Sequence, residues 1–261
     1  MGIIAIVGAG NVGQAIAGHM TLLGHEVRLY SRWERDFEAI TSTGGIELSG
    51  DVEGRAAKPL LTTDLVTAVR GADTIIVAAP AFAHAYFSEQ LAALLEPGQL
   101  VVFQPGVLGS SLELARHFAL AQRRPCLIAE TATSLYTCRL RGPAKVFIGA
   151  IKQAVPLATI PHAACQEALA RLSPYFGNRY VDGTDTLSVG LGNCNAIYHV
   201  PPAVLNIKTV EDSAKLPQHT LVTPRIAEVI NALDEERLSL AEALGVKTHS
   251  FWECLATAYG V

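Results

Sequence analysis

The chain alternates short uncharged runs with longer stretches whose apolar positions recur at helical spacing. Residues 3–7 (Ile-Ile-Ala-Ile-Val) carry no polar side chain, so both faces can be buried, as in a central parallel strand. A glycine turn follows, and a helix pattern runs from about Asn11 to Leu23. Residues 26–30 read as a second strand, introduced by Gly24. Over 44–62, short β-prone runs are separated by turns at Ser49-Gly50-Asp51 and Glu53-Gly54, which predicts a small β excursion. Asp64 is placed to cap a helix ending near Arg70. Residues 74–77 form the next buried strand. A helix pattern over 81–95 stops at Pro97-Gly98, residues 99–103 give a strand, and a helix runs on to about Leu120. A strand over 126–129 precedes a hairpin in which 136–141 and 145–151 flank Gly142-Pro143, and 161–172 fits a helix.

From Leu187 the strand-like runs vanish. Helical segments are predicted at about 187–207, 223–244 and 249–259. The middle one carries an apolar stripe of Ile226, Val229, Ile230, Leu233, Leu238, Ala241 and Leu244. Asp234, Glu235, Glu236 and Arg237 interrupt it and read as a charged, solvated turn. The pattern predicts an α/β protein: a Rossmann-type doubly wound sheet over residues 1–185, then a smaller all-helical domain over 186–261. Pockets form at domain interfaces, so substrate is expected between the two.

Composition narrows the function classes. With 261 residues, half of them hydrophobic, and a formal charge of −4, the chain can bury a sizeable core and gives no reason to expect nucleic acid as a partner. No run is long and apolar enough for a membrane span, and the first residues lack the basic region of a signal peptide. Position 6 is Ile6 where N-myristoylation at Gly2 would want Ser or Thr. The five cysteines (Cys126, Cys138, Cys165, Cys194, Cys254) are scattered without a CxxC pair. They read as reduced thiols of a cytoplasmic protein, with no metal site.

The candidate chemistry begins at Gly8-Ala9-Gly10-Asn11-Val12-Gly13, which follows a strand pattern and opens a helix pattern. That context suits a dinucleotide pyrophosphate: Gly8 for the tight turn, Gly10 for close approach to the phosphates, Gly13 for helix–strand packing, and the helix N-terminus for the negative charge. After the second strand an NAD site usually presents a carboxylate to the ribose hydroxyls. This chain has Ser31-Arg32, with Arg35 nearby. A guanidinium pairs with a 2′-phosphate and a hydroxyl can donate to it, so NADP(H) is expected over NAD(H). Arg32 stacked on the adenine, or left as a loop charge, is the competing reading. Ala79-Pro80, at the end of the 74–77 strand, is either an apolar floor for the adenosine or an ordinary strand-to-helix turn. In Gly192-Asn193-Cys194-Asn195-Ala196-Ile197-Tyr198-His199, a helix would put Asn195 and His199 on one face. An imidazole beside a carboxamide suits reduction of a C=O or C=N bond, the imidazole moving the proton and the amide orienting the substrate. A core helix with a hydrogen-bonded histidine would read the same.

Several stretches together resemble the opine dehydrogenase family: GAGNVG at 8–13, GADTIIVAAPAFAH at 71–84, PGVLGSSLEL at 105–114, AETATSLYTCRLRGP at 129–143, NCNAIYHVPPAVLN at 193–206 and TPRIAEVINALDEERLSLAEALGV at 223–246. The resemblance implies reductive condensation of an amino acid with a 2-oxo acid, through an imine that NAD(P)H reduces. It makes His199 the acid/base, Asn195 a neighbouring substrate-binding residue, and Gly8, Gly10 and Gly13 the pyrophosphate cradle. Two departures accompany it. Val200 stands between His199 and Pro201-Pro202 where the family commonly has His-Pro. The family's partner Asp for the histidine has no motif match in this chain, which is shorter than usual for the family; the expectation is a shortened chain or one completed as a homodimer. A face made by Phe251, Trp252 and Leu255 would then need covering. The alternatives are a single-substrate reductase of the ketopantoate reductase or glycerol-3-phosphate dehydrogenase kind, or a non-catalytic NADP-binding protein. The former typically relies on a lysine in the second domain; Lys208 and Lys215 are present but lie in no recognisable motif.

Overall fold

The computed structural model describes residues 2–212 and 218–260. In chain order the N-terminal part comprises β1 (Ile3–Val7), α1 (Asn11–Leu22), β2 (Glu26–Tyr30), α2 (Glu38–Thr43), β3 (Gly45–Gly50), β4 (Gly54–Ala57), β5 (Leu60–Thr62), α3 (Leu65–Val69), β6 (Thr74–Val77), α4 (His84–Leu94), β7 (Leu100–Phe103), α5 (Ser110–Leu120) and β8 (Leu127–Thr131). Then come β9 (Tyr136–Gly142), β10 (Lys145–Ile151), β11 (Val155–Ile160), α6 (Cys165–Phe176) and β12 (Tyr180–Asp182). The α-helices that follow among the described residues are α7 (Thr186–Leu191), α8 (Asn195–Leu205), α9 (Ile207–Asp212), α10 (Pro224–Ala243) and α11 (Phe251–Tyr259).

The main sheet has eight strands in the order β12-β11-β8-β7-β6-β1-β2-β5. The six from β8 to β5 are parallel, and β11 joins β8 antiparallel. Side chains on β1 alternate between two cores, as a period of two requires. Ile4 and Ile6 pack with Ile16 and Met20 of α1, whereas Ala5 and Val7 pack with Leu65, Leu91 and Leu114 of α3, α4 and α5. The chain leaves β1 for β2 on one side and returns to β6 on the other. This strand-order reversal opens a crevice above the C-terminal ends of β1 and β6, where such sheets bind ligands.

The expected hairpin is present as antiparallel β9 and β10. The excursion over 44–62 divides. β3 and β4 pair with this hairpin in a second sheet, β4-β3-β10-β9, while β5 joins the main sheet. Two distant excursions thus make one small sheet, packed on α1 through Ile46, Leu48, Val146 and Ile148. Strands β11 and β12 escape the hydrophobic pattern because Pro156 interrupts one and the other has three residues. The helix expected at 161–172 begins later and runs to Phe176.

In the helical part, the segment expected at 187–207 breaks at Gly192-Asn193-Cys194 into α7 and α8. The reading of residues 234–237 as a charged, solvated turn is corrected in part: Glu235 and Glu236 are exposed, but there is no turn, and Asp234 and Arg237 face inward. α10 is continuous, and Asp234 is 5% exposed. Asp234 accepts hydrogen bonds from Arg237 Nε (2.9 Å) and Nη2 (2.6 Å), and from the Phe251 N–H (2.7 Å). Arg237 in turn donates to the carbonyls of Leu191 (2.6 Å) and His249 (2.5 Å). At i and i+3 the two charges lie on the inner face, where each satisfies the other. Together they pin the loops before α8 and α11. The face expected to need covering is also corrected in part: Phe251 is buried against Ile226 and Ile230, while Trp252 is exposed. No helix among the described residues is long and apolar enough to cross a membrane.

Candidate functional site

Two adjoining cavities meet at Asn11 and Val12, in the first turn of α1. The first, about 520 Å³, lies in the crevice above β1 and β6. It is lined by Gly8, Ala9, Gly10, Asn11, Val12, Ser31, Arg32, Ala79 and Pro80, all named above from the sequence. The glycines divide the work. Gly8 has φ +117°, and a Cβ there would lie 2.8 Å from the Ala78 carbonyl oxygen. A Cβ on Gly13 would lie 1.7 Å from the Gly8 oxygen. Around Gly10 there is open space, so the backbone is accessible where phosphates would approach. Gly10 caps α1 without a side-chain hydrogen bond, leaving the first N–H groups directed at the crevice. Gln14 Nε2 fixes the loop by donating to the Ala9 carbonyl (2.9 Å). Asn11 contributes through its backbone, because its side-chain oxygen accepts from the Leu140 N–H of β9 (2.7 Å).

At the end of β2, the Arg32 guanidinium lies 4.8 Å from the Tyr86 ring centroid and 5.3 Å from that of Trp33. Arg35 also lies over Trp33, outside the cavity lining. Ser31 donates its hydroxyl to Asp36, a cavity-lining carboxylate. Sequence reasoning missed Asp36; its place six residues past the strand gave no signal. It also missed Gln104, fully buried in the same lining, whose Oε1 accepts from Tyr180 and whose Nε2 has no protein acceptor. A buried donor left open at a cavity wall fits a polar ligand there.

The second cavity, about 700 Å³, lies between the sheets and the helical part. Asn195 and His199, one turn apart on α8, both line it. Tyr198 beside them stacks on Phe251 of α11 at 5.3 Å. Thr133, Ser134 and Lys152 line it from the β-rich side, and Cys194, at the start of α8, and Cys254 and Tyr259, on α11, from the helical side. Lys152 was not foreseen. Burial lowers its pKa to about 8. Burial also lowers that of His84, which contacts Ser110 and the Ala79 carbonyl. Among the described residues, no group of three or more His, Cys, Asp or Glu could hold a metal ion. Lys208 is exposed away from both cavities, and Lys215 lies outside the described residues.

A parallel sheet reversing at β1, a glycine loop at that point and a following helical unit define the class: a Rossmann-type α/β protein with a helical C-terminal domain. Residues 183–261 match the family model described as NAD/NADP octopine/nopaline dehydrogenase, alpha-helical domain. Residues 4–153 match that of ketopantoate reductase PanE/ApbA. The opine dehydrogenase of Arthrobacter sp. (strain 1C) is 31% identical over 98% of this chain and 72% of its own length. Among solved structures, octopine dehydrogenase with NADH and L-arginine superposes with a TM-score of 0.72 at 19% identity, covering 93% of this chain. The NADP+-bound yersinopine dehydrogenase gives 0.71 at 18% over 95%. This chain spans 64% and 65% of those two structures' lengths. The chain belongs to the opine dehydrogenase family.

Proposed function

We propose that the chain catalyses NADP(H)-dependent reductive condensation of an amino acid with a 2-oxo acid. The observation that carries this reading is the junction of the two cavities at Asn11 and Val12, with Asn195 and His199 lining the far one. The glycine loop and the N–H groups of α1 would hold the pyrophosphate, and Ser31 and Arg32 the adenosine end. Arg32 favours a 2′-phosphate. Asp36 is engaged by the Ser31 hydroxyl. Ala79 and Pro80 wall the cleft.

The dinucleotide, when bound, supplies a hydride to the imine carbon. His199 gives and takes the proton at the substrate nitrogen or oxygen, and Asn195 orients the substrate through its amide. The structural relatives were solved with L-arginine, agmatine and pyruvate, so an amino acid and a small oxo acid are the first substrates to try. NADPH consumption across a matrix of amino acids against pyruvate, glyoxylate and 2-oxoglutarate tests the reading. Turnover that needs both partners supports it, and turnover with the oxo acid alone overturns it. The latter result is that of the single-substrate reductase suggested by the match over 4–153. The same reading carries a homodimer in the cytoplasm; sedimentation of the purified chain as a single monomeric species would overturn the dimer.

A further inference from the structure

Lys152 is a buried cation with no ion-pair partner among the described residues. It follows β10 directly, and its side chain runs inward to the second cavity. Its Nζ donates to Thr133 Oγ1 at 2.8 Å and to the Ser134 carbonyl at 2.9 Å. It lies 6.0 Å from the Tyr259 ring centroid. All four residues line the cavity that holds Asn195 and His199. Lys152 is 9% exposed, and none of the ion pairs among the described residues involves it.

Neutral acceptors do not compensate the loss of hydration around an ammonium, so such a group either sheds its proton or awaits an anion. The other cations of the lining, Arg139 and Arg141, are exposed. Arg141 is stacked on Phe147 at 3.5 Å. They can attract anions from solution, but a desolvated point charge is found only at Lys152. The backbone around it is held from three sides. The Lys152 N–H donates to Leu135 O (3.0 Å), Arg179 donates to the Lys152 carbonyl (3.3 Å), and the Gln153 N–H donates to Ala258 O of α11 (2.7 Å). The ammonium is therefore preorganised between the small sheet and α11.

We propose that Lys152, with the Thr133 hydroxyl, forms the subsite for a substrate α-carboxylate, across the cavity from Asn195 and His199. The inference rests on the reaction proposed above and names the group that anchors one of its two acids. An anchored carboxylate leaves the adjoining carbonyl or imine carbon to face the cofactor cleft. Lys152 would be a binding residue, with proton transfer left to His199.

The test separates the two acids and separates this subsite from the reaction itself. In Lys152→Met the KM of the anchored acid should rise by about 30-fold, the loss expected for a charge-assisted hydrogen bond. The NADPH affinity should stay close to wild type, and kcat should fall by less than the KM rises, since the anchor also orients the reacting carbon. Lys152→Arg should recover part of the affinity. A KM rise confined to the oxo acid assigns that carboxylate, and one confined to the amino acid assigns the other. A merely structural lysine would instead lower the melting temperature and kcat with KM unchanged, overturning the proposal. Binding of oxamate to the NADPH-loaded protein, followed by calorimetry in wild type and Lys152→Met, needs no turnover. Lys152-dependent binding without any two-substrate turnover would keep the subsite and remove the reaction. Two-substrate turnover with oxamate affinity and both KM values indifferent to Lys152→Met would keep the reaction and remove the subsite. Absence of oxamate binding in the wild type, together with an amino acid KM indifferent to Lys152→Met, would also remove it.

Discussion

The two cavities are built in opposite ways. The cleft proposed for the cofactor draws most of its wall from short contiguous segments at the ends of β1, β2 and β6. The cavity proposed for the substrate draws on α1, the loop after β8, the small sheet with Lys152 just after it, the loop before α8, α8 itself, and α11. Where neighbours in sequence are neighbours in space, a spacing motif carries the site. Where six distant segments converge, no single spacing motif spans the wall, and only the pair on α8 carries a pattern of its own.

The largest expected effect falls on the cofactor half alone. Gly13→Ala would place a methyl group 1.7 Å from the Gly8 oxygen. NADPH affinity should fall beyond detection in a fluorescence titration while the helical part keeps its structure. Retained tight binding would mean that the glycine loop is not the cradle. The matching change in the substrate half is Asp234→Ala. It strands the buried Arg237 guanidinium and frees the N–H of Phe251, at a cost of about 3–5 kcal/mol. Thermal or urea unfolding should show the loss. NADPH binding should survive if the two halves are as separable as their construction implies.

A smaller effect comes with pH. Lys152 titrates near 8 because burial disfavours its charge. Its ammonium is present below that pH and lost above it. The KM of the anchored acid should therefore rise roughly tenfold more from pH 7 to 9 in the wild type than in Lys152→Arg. The groups facing Lys152 are Thr133, Ser134 and Tyr259, with Arg139, Arg141, His199 and Cys254 elsewhere in the lining and Arg179 on its backbone. The arginine variant isolates the lysine from these. The smallest expected effect returns to the cofactor. Arg32→Ala should weaken NADPH by roughly tenfold, the order of one charge-assisted pair, and leave NADH nearly unchanged. Equal loss of both would identify Arg32 as an adenine platform and shift weight to Asp36.

These contrasts also explain what the sequence could show. Residues 3–13 exposed strand, loop and helix at once, since burial on both faces and glycine spacing are local requirements. The Asn195–His199 pair was visible because one helical turn is a fixed interval. Gln104 and Lys152 were not, because each enters its cavity through a contact distant in sequence; Asp36 was not, because nothing in its loop marks it, although its partner Ser31 is near in sequence. The charged stretch 234–237 was read half right: Glu235 and Glu236 face solvent as composition suggested, whereas the i, i+3 spacing of Asp234 and Arg237 allowed a pair turned inward. The small sheet was half legible, its hairpin evident and its pairing with β3 across about a hundred residues not.

The central claim is that α8 brings a proton donor to the substrate cavity beside the cofactor cleft. It is tested most directly by His199→Ala, assayed with saturating amino acid and oxo acid. The account predicts a fall in kcat of about 100-fold or more, with NADPH affinity unchanged. A kcat within a few-fold of wild type would contradict it.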